Sequence, residues 1–333
     1  MEVLIIGGTG LISTSIANQL LETGHDVTLY NRGRTPSRVR SGAKIITGDR
    51  SDFATFESSF ADSRYDVVVD MVAFKPEESQ SAIRAFSGRT GQFIHCSTVC
   101  VYSGPVKTIP TPEDEPFHSP GGYGKNKILC EQALFSAYEK DKFPVTIMRP
   151  SHSYGEGGGI VRPYGPSETF VDRLRKGKQV IVPGDGTGMW AAAHVDDVAR
   201  GFIGAFGNSK TLGEAYQITS DEYFTWNSYH EQVAEAAGGV YKPVYIPTDI
   251  LGRVSPQRSG GLLEIFAWPS IFATAKLRRD TGYTGQTIDF AEGTRRALKW
   301  LDAEGKIANS DTDTYEDKLI EAWTTAAGEL PKE

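Results

Sequence analysis

The chain has 333 residues, and 35 Lys and Arg against 42 Asp and Glu give it a formal charge of −7. That length suits one large domain with a smaller lobe, and an acidic balance with no long basic run argues against a partner held by its phosphate backbone. No stretch approaches the roughly 20 apolar residues of a membrane span. The apolar run in the opening MEVLIIGG is too short for a secretory signal. Three cysteines, Cys96, Cys100 and Cys130, lack metal-ligand spacing and read as reduced thiols packed in apolar runs. The expected location is the cytoplasm.

In chain order, EVLII (2–6) reads as a buried strand and LISTSIANQLLETG (11–24) as a helix ending at Gly24. DVTLY (26–30), AKIITGD (43–49), YDVVVD (65–70) and GQFIHCS (91–97) read as further strands, with helices at 52–60 and 76–86 between them. YGKNKILCEQALFSAYEK (123–140) is a long helix and PVTIMRP (144–150) another strand. Strands alternating with helices predict right-handed βαβ units in a doubly wound parallel α/β sheet, and continuous Val/Ile/Leu runs fit strands covered on both faces. GEGGGIVRPYGP (155–166) is a loop by its Gly and Pro content. A helix (167–177), a strand (179–183) and the helix HVDDVARGFIGAF (194–206), with Asp196 as its candidate N-cap, follow. The expected division is a dinucleotide-binding domain over 1–165, to which 188–218 return. A smaller mixed α/β substrate lobe takes 166–187 and 219–333. Residues 308–333 read as a docked or frayed terminus.

GGTGLIS (7–13) follows the first strand directly and opens a helix. Gly7 and Gly10 fit a Rossmann-type dinucleotide fingerprint, in which glycine allows the tight turn and close approach of backbone N–H groups to a pyrophosphate. The first helical residues, Leu11 and Ile12, present the positive end of the helix dipole. The third position is Ser13, small but not glycine. After the second strand comes YNRGR (30–34). An NAD site presents a carboxylate there to the ribose 2′-hydroxyl. Asn31, Arg32 and Arg34 suit a 2′-phosphate better and favour NADP over NAD.

Tyr123 and Lys127 in GGYGKNK share one helix face at i and i+4. Tyrosine, with a pKa near 10, is a poor base at neutral pH; a neighbouring ammonium favours the phenolate and lowers that value. Such a dyad can move a proton to or from a substrate hydroxyl. A third hydroxyl is needed at the end of the preceding strand, where HCSTVCVY (95–102) offers Ser97 and Thr98; Thr98 stands 25 residues before Tyr123.

With these motifs the chain resembles the extended short-chain dehydrogenase/reductases, which include NAD-dependent nucleotide-sugar epimerases and dehydratases. RPSHSYGEG (149–157), VPGDGTGMWAAAHVDDVARGF (182–202), KLRRDTGY (276–283) and FAEGTRRALKW (290–300) extend the resemblance over almost the whole chain. The resemblance implies that Thr98 aligns the substrate, Tyr123 is the acid/base, and Lys127 modulates it and contacts the ribose. It also implies that Asp49, with Arg50, contacts the adenine, and that Ala73, Lys75, Pro150 and His152 lie along the cofactor. It further implies a homodimer through the helix carrying Tyr123.

The departures from that pattern bear on the substrate. Val99 and Cys100 follow Thr98 where the dehydratase branch places an Asp-Glu pair, so a 4,6-dehydratase is not expected. The glutamate of the decarboxylase branch is also missing. Nucleotide-sugar enzymes carry an arginine four residues before the histidine of HVDDVA; here Trp190 stands there, as a stack on a base, a contact to a sugar or part of the core. Arg162, Arg173, Arg175 and Arg295 are the candidates to replace the missing charge. His152 is either a donor to the substrate or held beside the cofactor. His194 reads as a helix-entry residue, and His95 as buried and satisfied.

The expected activity is an NAD(P)-dependent epimerase or dehydrogenase/reductase. It would move hydride to or from a secondary alcohol carbon of a sugar-like or nucleotide-sugar-like small molecule. Neither nucleic acid nor membrane is expected as a partner, and no metal is expected. Alternatives are an NADP-dependent reductase of a non-sugar ketone and, in another class, a non-catalytic cofactor-binding protein of the kind found among RNA-binding relatives of the group.

Overall fold

A computed structural model describes residues 1–331. Its chain divides into two compact units: 1–153, 193–221 and 272–288 form the first, and 154–192, 222–271 and 289–333 the second. The first break falls twelve residues earlier than the expected one at 165, ahead of the glycine-rich loop. Residues 272–288, expected in the lobe, belong to the first unit.

The first unit is built on β1 (Glu2–Ile6), α1 (Leu11–Glu22), β2 (Asp26–Asn31), β3 (Lys44–Thr47), α2 (Phe53–Ser58), β4 (Tyr65–Asp70), α3 (Pro76–Phe86), β5 (Thr90–Cys96), α4 (Gly122–Asp141) and β6 (Val145–Pro150). With the strand Glu214–Ile218 these make a seven-stranded sheet in the order Glu214–Ile218, β6, β5, β4, β1, β2, β3. Every adjacent pair is parallel. Alternation along the strands explains why both faces are covered. Val3, Ile5, Val67, Val69 and Ile94 pack with Ile16, Leu20 and Phe202. Leu4, Ile6, Val68 and Phe93 pack with Phe56, Phe60, Phe86 and Leu134. The strand order reverses beside β1, which has β2 on one side and β4 on the other; the crevice at the carboxyl ends there is the usual ligand position of such sheets.

The helix Val195–Gly204 is capped by His194, whose Nδ1 accepts from the Asp196 N–H at 3.2 Å. Asp196, the expected cap, sits in the first turn, and its carboxylate accepts from Ser15 Oγ on α1 at 2.6 Å.

The second unit packs the helices Trp226–Ala237 and Phe290–Ala303 around Phe170, Leu174, Trp190, Phe224 and Leu298. The expected helix 167–177 is a 3-10 turn, Ser167–Thr169, followed by the α-helix Phe170–Arg175. The C-terminal helix Tyr315–Gly328 is docked through Glu316, which is 1% exposed and receives Arg162 and the Ile181 N–H. Lys332 and Glu333 lie outside the described residues. Among the described residues, no helix is long and apolar enough to cross a membrane.

Candidate active site

At the carboxyl end of β1 the chain turns through Gly7, whose φ of +82° lies in the left-handed region. A Cβ there would sit 2.3 Å from Val72 Cγ1, so a larger residue fails both on backbone strain and on space. Ser13, at the third fingerprint position, does more than fit. Its Oγ accepts from the Gly10 N–H at 2.8 Å and donates to the Gly7 carbonyl at 2.8 Å, closing the turn onto the start of α1.

The turn opens onto a cavity of about 550 Å³ lined by Gly7, Gly10, Asn31, Arg32, Arg34, Asp49, Arg50 and Phe74 among others. Asn31 accepts the Gly33 N–H at 2.8 Å and thereby shapes the loop that carries the arginines. Among the described residues, neither Arg32 nor Arg34 has a hydrogen-bond or ion-pair partner. Hydrogen bonds from Ser51 hold the Asp49 carboxyl below its ordinary range, with smaller help from Arg32 and Arg34. Arg50 is 7% exposed and lies 3.9 Å over the Phe56 ring. Its Nη2 reaches Asp70 and the Glu78 carbonyl, while Nε and Nη1 have no partner. Unpartnered buried donors are costly; on this wall they suit a ligand that carries acceptors. Leu11 and Ile12 open α1. Lys75 is exposed and is not in the lining.

The other end of the site lies on α4, where Tyr123, Lys127 and Glu131 follow one another at i, i+4 and i+8 on one face. Lys127 is 1% exposed, and its ammonium donates to the Ala73 and Cys96 carbonyls, each at 2.7 Å. Two of its three donors are thus used, and the Phe74 ring lies 4.8 Å away. One turn on, Glu131 accepts from Ser97 and takes a two-pronged ion pair from Arg149, at 3.0 and 2.6 Å. Ser97 is therefore engaged in holding α4 to the end of β5. The adjacent Thr98 is 7% exposed; its hydroxyl accepts from the Cys100 N–H at 3.1 Å and acts on the nearby Tyr123 phenol.

Tyr123 is 48% exposed, and its ring lies 6.4 Å from that of Phe74. Its pKa is held above the ordinary tyrosine value, first by desolvation, then by Cys96 and Cys100, against the lowering effect of the Thr98 bond. The expected lowering by Lys127 is not seen. The ammonium is committed to two carbonyls and does not figure among the groups acting on the phenol.

Pro150 ends β6, and His152 follows, with burial pushing its imidazole down to about 4. His95 is fully buried, as expected, but neither ring nitrogen has a partner; desolvation, with Lys127 and Arg50, holds its pKa well below the usual histidine value. Trp190, a candidate for substrate contact or for the core, is 3% exposed and stacks on Trp226 at 4.7 Å, with Phe266 edge-on at 5.2 Å. It fills the core of the second unit, because an indole there buries more apolar surface than any polar contact would return. The four candidate arginines are all paired: Arg162 with Glu316, Arg173 with Asp317, Arg175 with Asp302 and Arg295 with Glu292. Glu131, the partner of Ser97 and Arg149, was missed in the sequence, although its spacing of four from Lys127 puts it on the same helix face; the pairing of Arg162 with Glu316, 154 positions apart, had no local signal.

The sequence profile of the NAD dependent epimerase/dehydratase family matches residues 3–219. The chain is 29% identical over 252 residues to the chloroplast stem-loop binding protein of 41 kDa b of Arabidopsis thaliana, covering 71% of this chain and 63% of that protein. It is 21% identical over 311 residues to 2'-dehydrokanamycin reductase of Streptomyces kanamyceticus, covering 93% and 87%. In fold it is similar to UDP-glucose 4-epimerase of Thermotoga maritima, with a TM-score of 0.74 and 22% identity over 91% of this chain and 99% of the other.

Proposed function

The chain belongs to the NAD-dependent epimerase/dehydratase family, and on that premise we propose that Tyr123 is the acid/base of hydride transfer at a secondary alcohol or ketone carbon. The observation that carries this reading is the assembly, in one unit, of Tyr123, its partner Thr98 and the buried Lys127 at one end, with the glycine turn and its cavity at the other. A nicotinamide dinucleotide supplies or accepts the hydride when bound. Gly7, Gly10 and the start of α1 would hold its pyrophosphate. Asp49 and Arg50 would hold the adenine, and the remaining Lys127 donor a ribose hydroxyl. Arg32 and Arg34 support NADP over NAD, because two guanidinium groups without partners match a 2′-phosphate.

Thr98 fixes the substrate oxygen beside Tyr123, and Tyr123 passes its hydroxyl proton to that oxygen or takes one from it. A phenol pKa raised above 10 means a protonated tyrosine at neutral pH. It is ready to donate in the reductive direction and needs alkaline conditions to accept. The reductase reading is drawn from the similarity to 2'-dehydrokanamycin reductase; a sugar-like epimerase substrate is the second reading, drawn from the similarity to UDP-glucose 4-epimerases. A non-catalytic binding role, suggested by the stem-loop binding relative, fits poorly with the acidic balance and the intact tyrosine, lysine and threonine.

Tyr123→Phe tests the catalytic role. The expected result is a fall in kcat of about 10²–10⁴-fold, with NADPH affinity, read by fluorescence titration, unchanged. A variant that turns over at the wild-type rate ends the proposal.

A further inference from the structure

We infer that the substrate carries no nucleoside diphosphate and is a neutral or amine-bearing alcohol or ketone. The inference rests on the oxidoreductase reading above, with the second unit recognising the substrate. Diphosphates are gripped by guanidinium groups that can turn both prongs to the ligand, so the state of each arginine in that unit is informative.

The second unit holds seven arginines, and each is in an ion pair within it. Arg162 and Arg173 are 2% and 1% exposed, and both approach the buried Glu316. Turning either one outward would leave that carboxylate buried without its full complement of positive charge. Arg175 is two-pronged to Asp302 and also donates to the Ala237 carbonyl. Arg258 is two-pronged to Asp313 and lies 4.6 Å over Tyr315. Arg296 pairs with Glu156 of the glycine-rich loop. Arg253 and Arg295 pair along their own helices and are the most exposed, at 69% and 57% of their side-chain surface; in water such charges attract an anion weakly.

Among the described residues, the uncommitted cations of the unit are lysines. Lys242, Lys299, Lys306 and Lys318 are exposed and sit on separate elements, as hydrated point charges with no shared focus. The unit as a whole carries 20 carboxylate side chains against 14 Lys and Arg, whereas the first unit carries 22 against 21. Its field therefore repels a diphosphate and tolerates or attracts an amine. In the first unit the arginines without partners, Arg32 and Arg34, line the cavity at the glycine turn, where the dinucleotide's own phosphates would take them.

Calorimetric titration of the full chain tests this, first with NADP⁺ and then, at saturating NADP⁺, with UDP, dTDP and UDP-glucose. The expected result is tight NADP⁺ binding and a Kd above about 1 mM for all three diphosphates. Turnover is then compared between neutral polyols, amino sugars and their UDP conjugates, with the conjugates expected to lose about tenfold or more in kcat/KM. A Kd below about 100 μM for any of the diphosphates, or a conjugate turned over faster than its free sugar, overturns the inference and leaves the oxidoreductase reading intact. Failure to bind either NADP⁺ or NAD⁺ overturns that reading and this inference with it.

Discussion

The two compact units treat their positive charges differently. In the first, Arg32 and Arg34 stand without partners at a cavity wall, and Arg50 is buried there with two donors unmet. In the second, the arginines are paired within the unit, down to the buried Arg162, Glu316 and Arg173 cluster. Unmet buried donors cost stability unless a ligand completes them. The first unit therefore carries groups whose partners come from outside. The second uses the same residue type to hold its own C-terminal helix in place.

The contrast can be broken most severely at Glu316. Glu316→Ala leaves the buried Arg162 without its carboxylate, leaves Arg173 with Asp317 alone and frees the C-terminal helix; a loss of about 3–5 kcal/mol is expected, read as a shift in urea midpoint, while NADPH affinity changes little.

Acid should weaken both units. His95 and His152 in the first and His230 in the second are held below the ordinary histidine value by burial, His152 at about 4 and His230 at about 3. A depressed folded pKa means that the unfolded chain takes up protons first. The stability is then complete above pH 6.5 and falls as the pH drops through 6.5 towards 4. His152 and His230 each contribute on the order of a few kcal/mol across that window, His95 acts in the same direction, and denaturant titrations at pH 7, 5.5 and 4 should show the decline. A flat profile would mean that these rings ionise in place.

The first unit's open charges are tested by Arg34→Ala, alone and with Arg32→Ala. NADP affinity should fall by roughly 10–100-fold, the worth of a charge-assisted hydrogen bond or two, with NAD affinity unchanged. Equal losses for both dinucleotides would remove the case for a 2′-phosphate.

Ser13→Ala is the mildest change. It deletes both bonds across the turn and should cost about 1–2 kcal/mol, with a modest weakening of dinucleotide binding measured by the same titration. Ser13→Gly should restore binding without restoring the lost stability, because glycine fits the turn but ties nothing.

How far each feature could be read from the chain depends on the distance over which it is encoded. The strands and helices of the first unit repeat apolar residues at their own periods, and its glycine turn and tyrosine–lysine spacing are local. Sheet class, phosphate turn and candidate dyad were therefore legible from neighbouring residues alone. Element ends were less so: His194 rather than Asp196 caps its helix because Asp196 meets Ser15, a residue 181 positions away.

What only the folded chain decided concerns partners far apart in sequence. Ser97 and Thr98 look equivalent until Glu131 takes Ser97. Lys127 looks like a charge beside Tyr123 until two carbonyls claim it. Trp190 could have met a ligand until Trp226 and Phe266 enclose it. In each case residue type left several partners open, and packing chose one. Hydrogen bonds and ring contacts act over a few ångströms, and those distances exist only once the sheet and its helices are assembled.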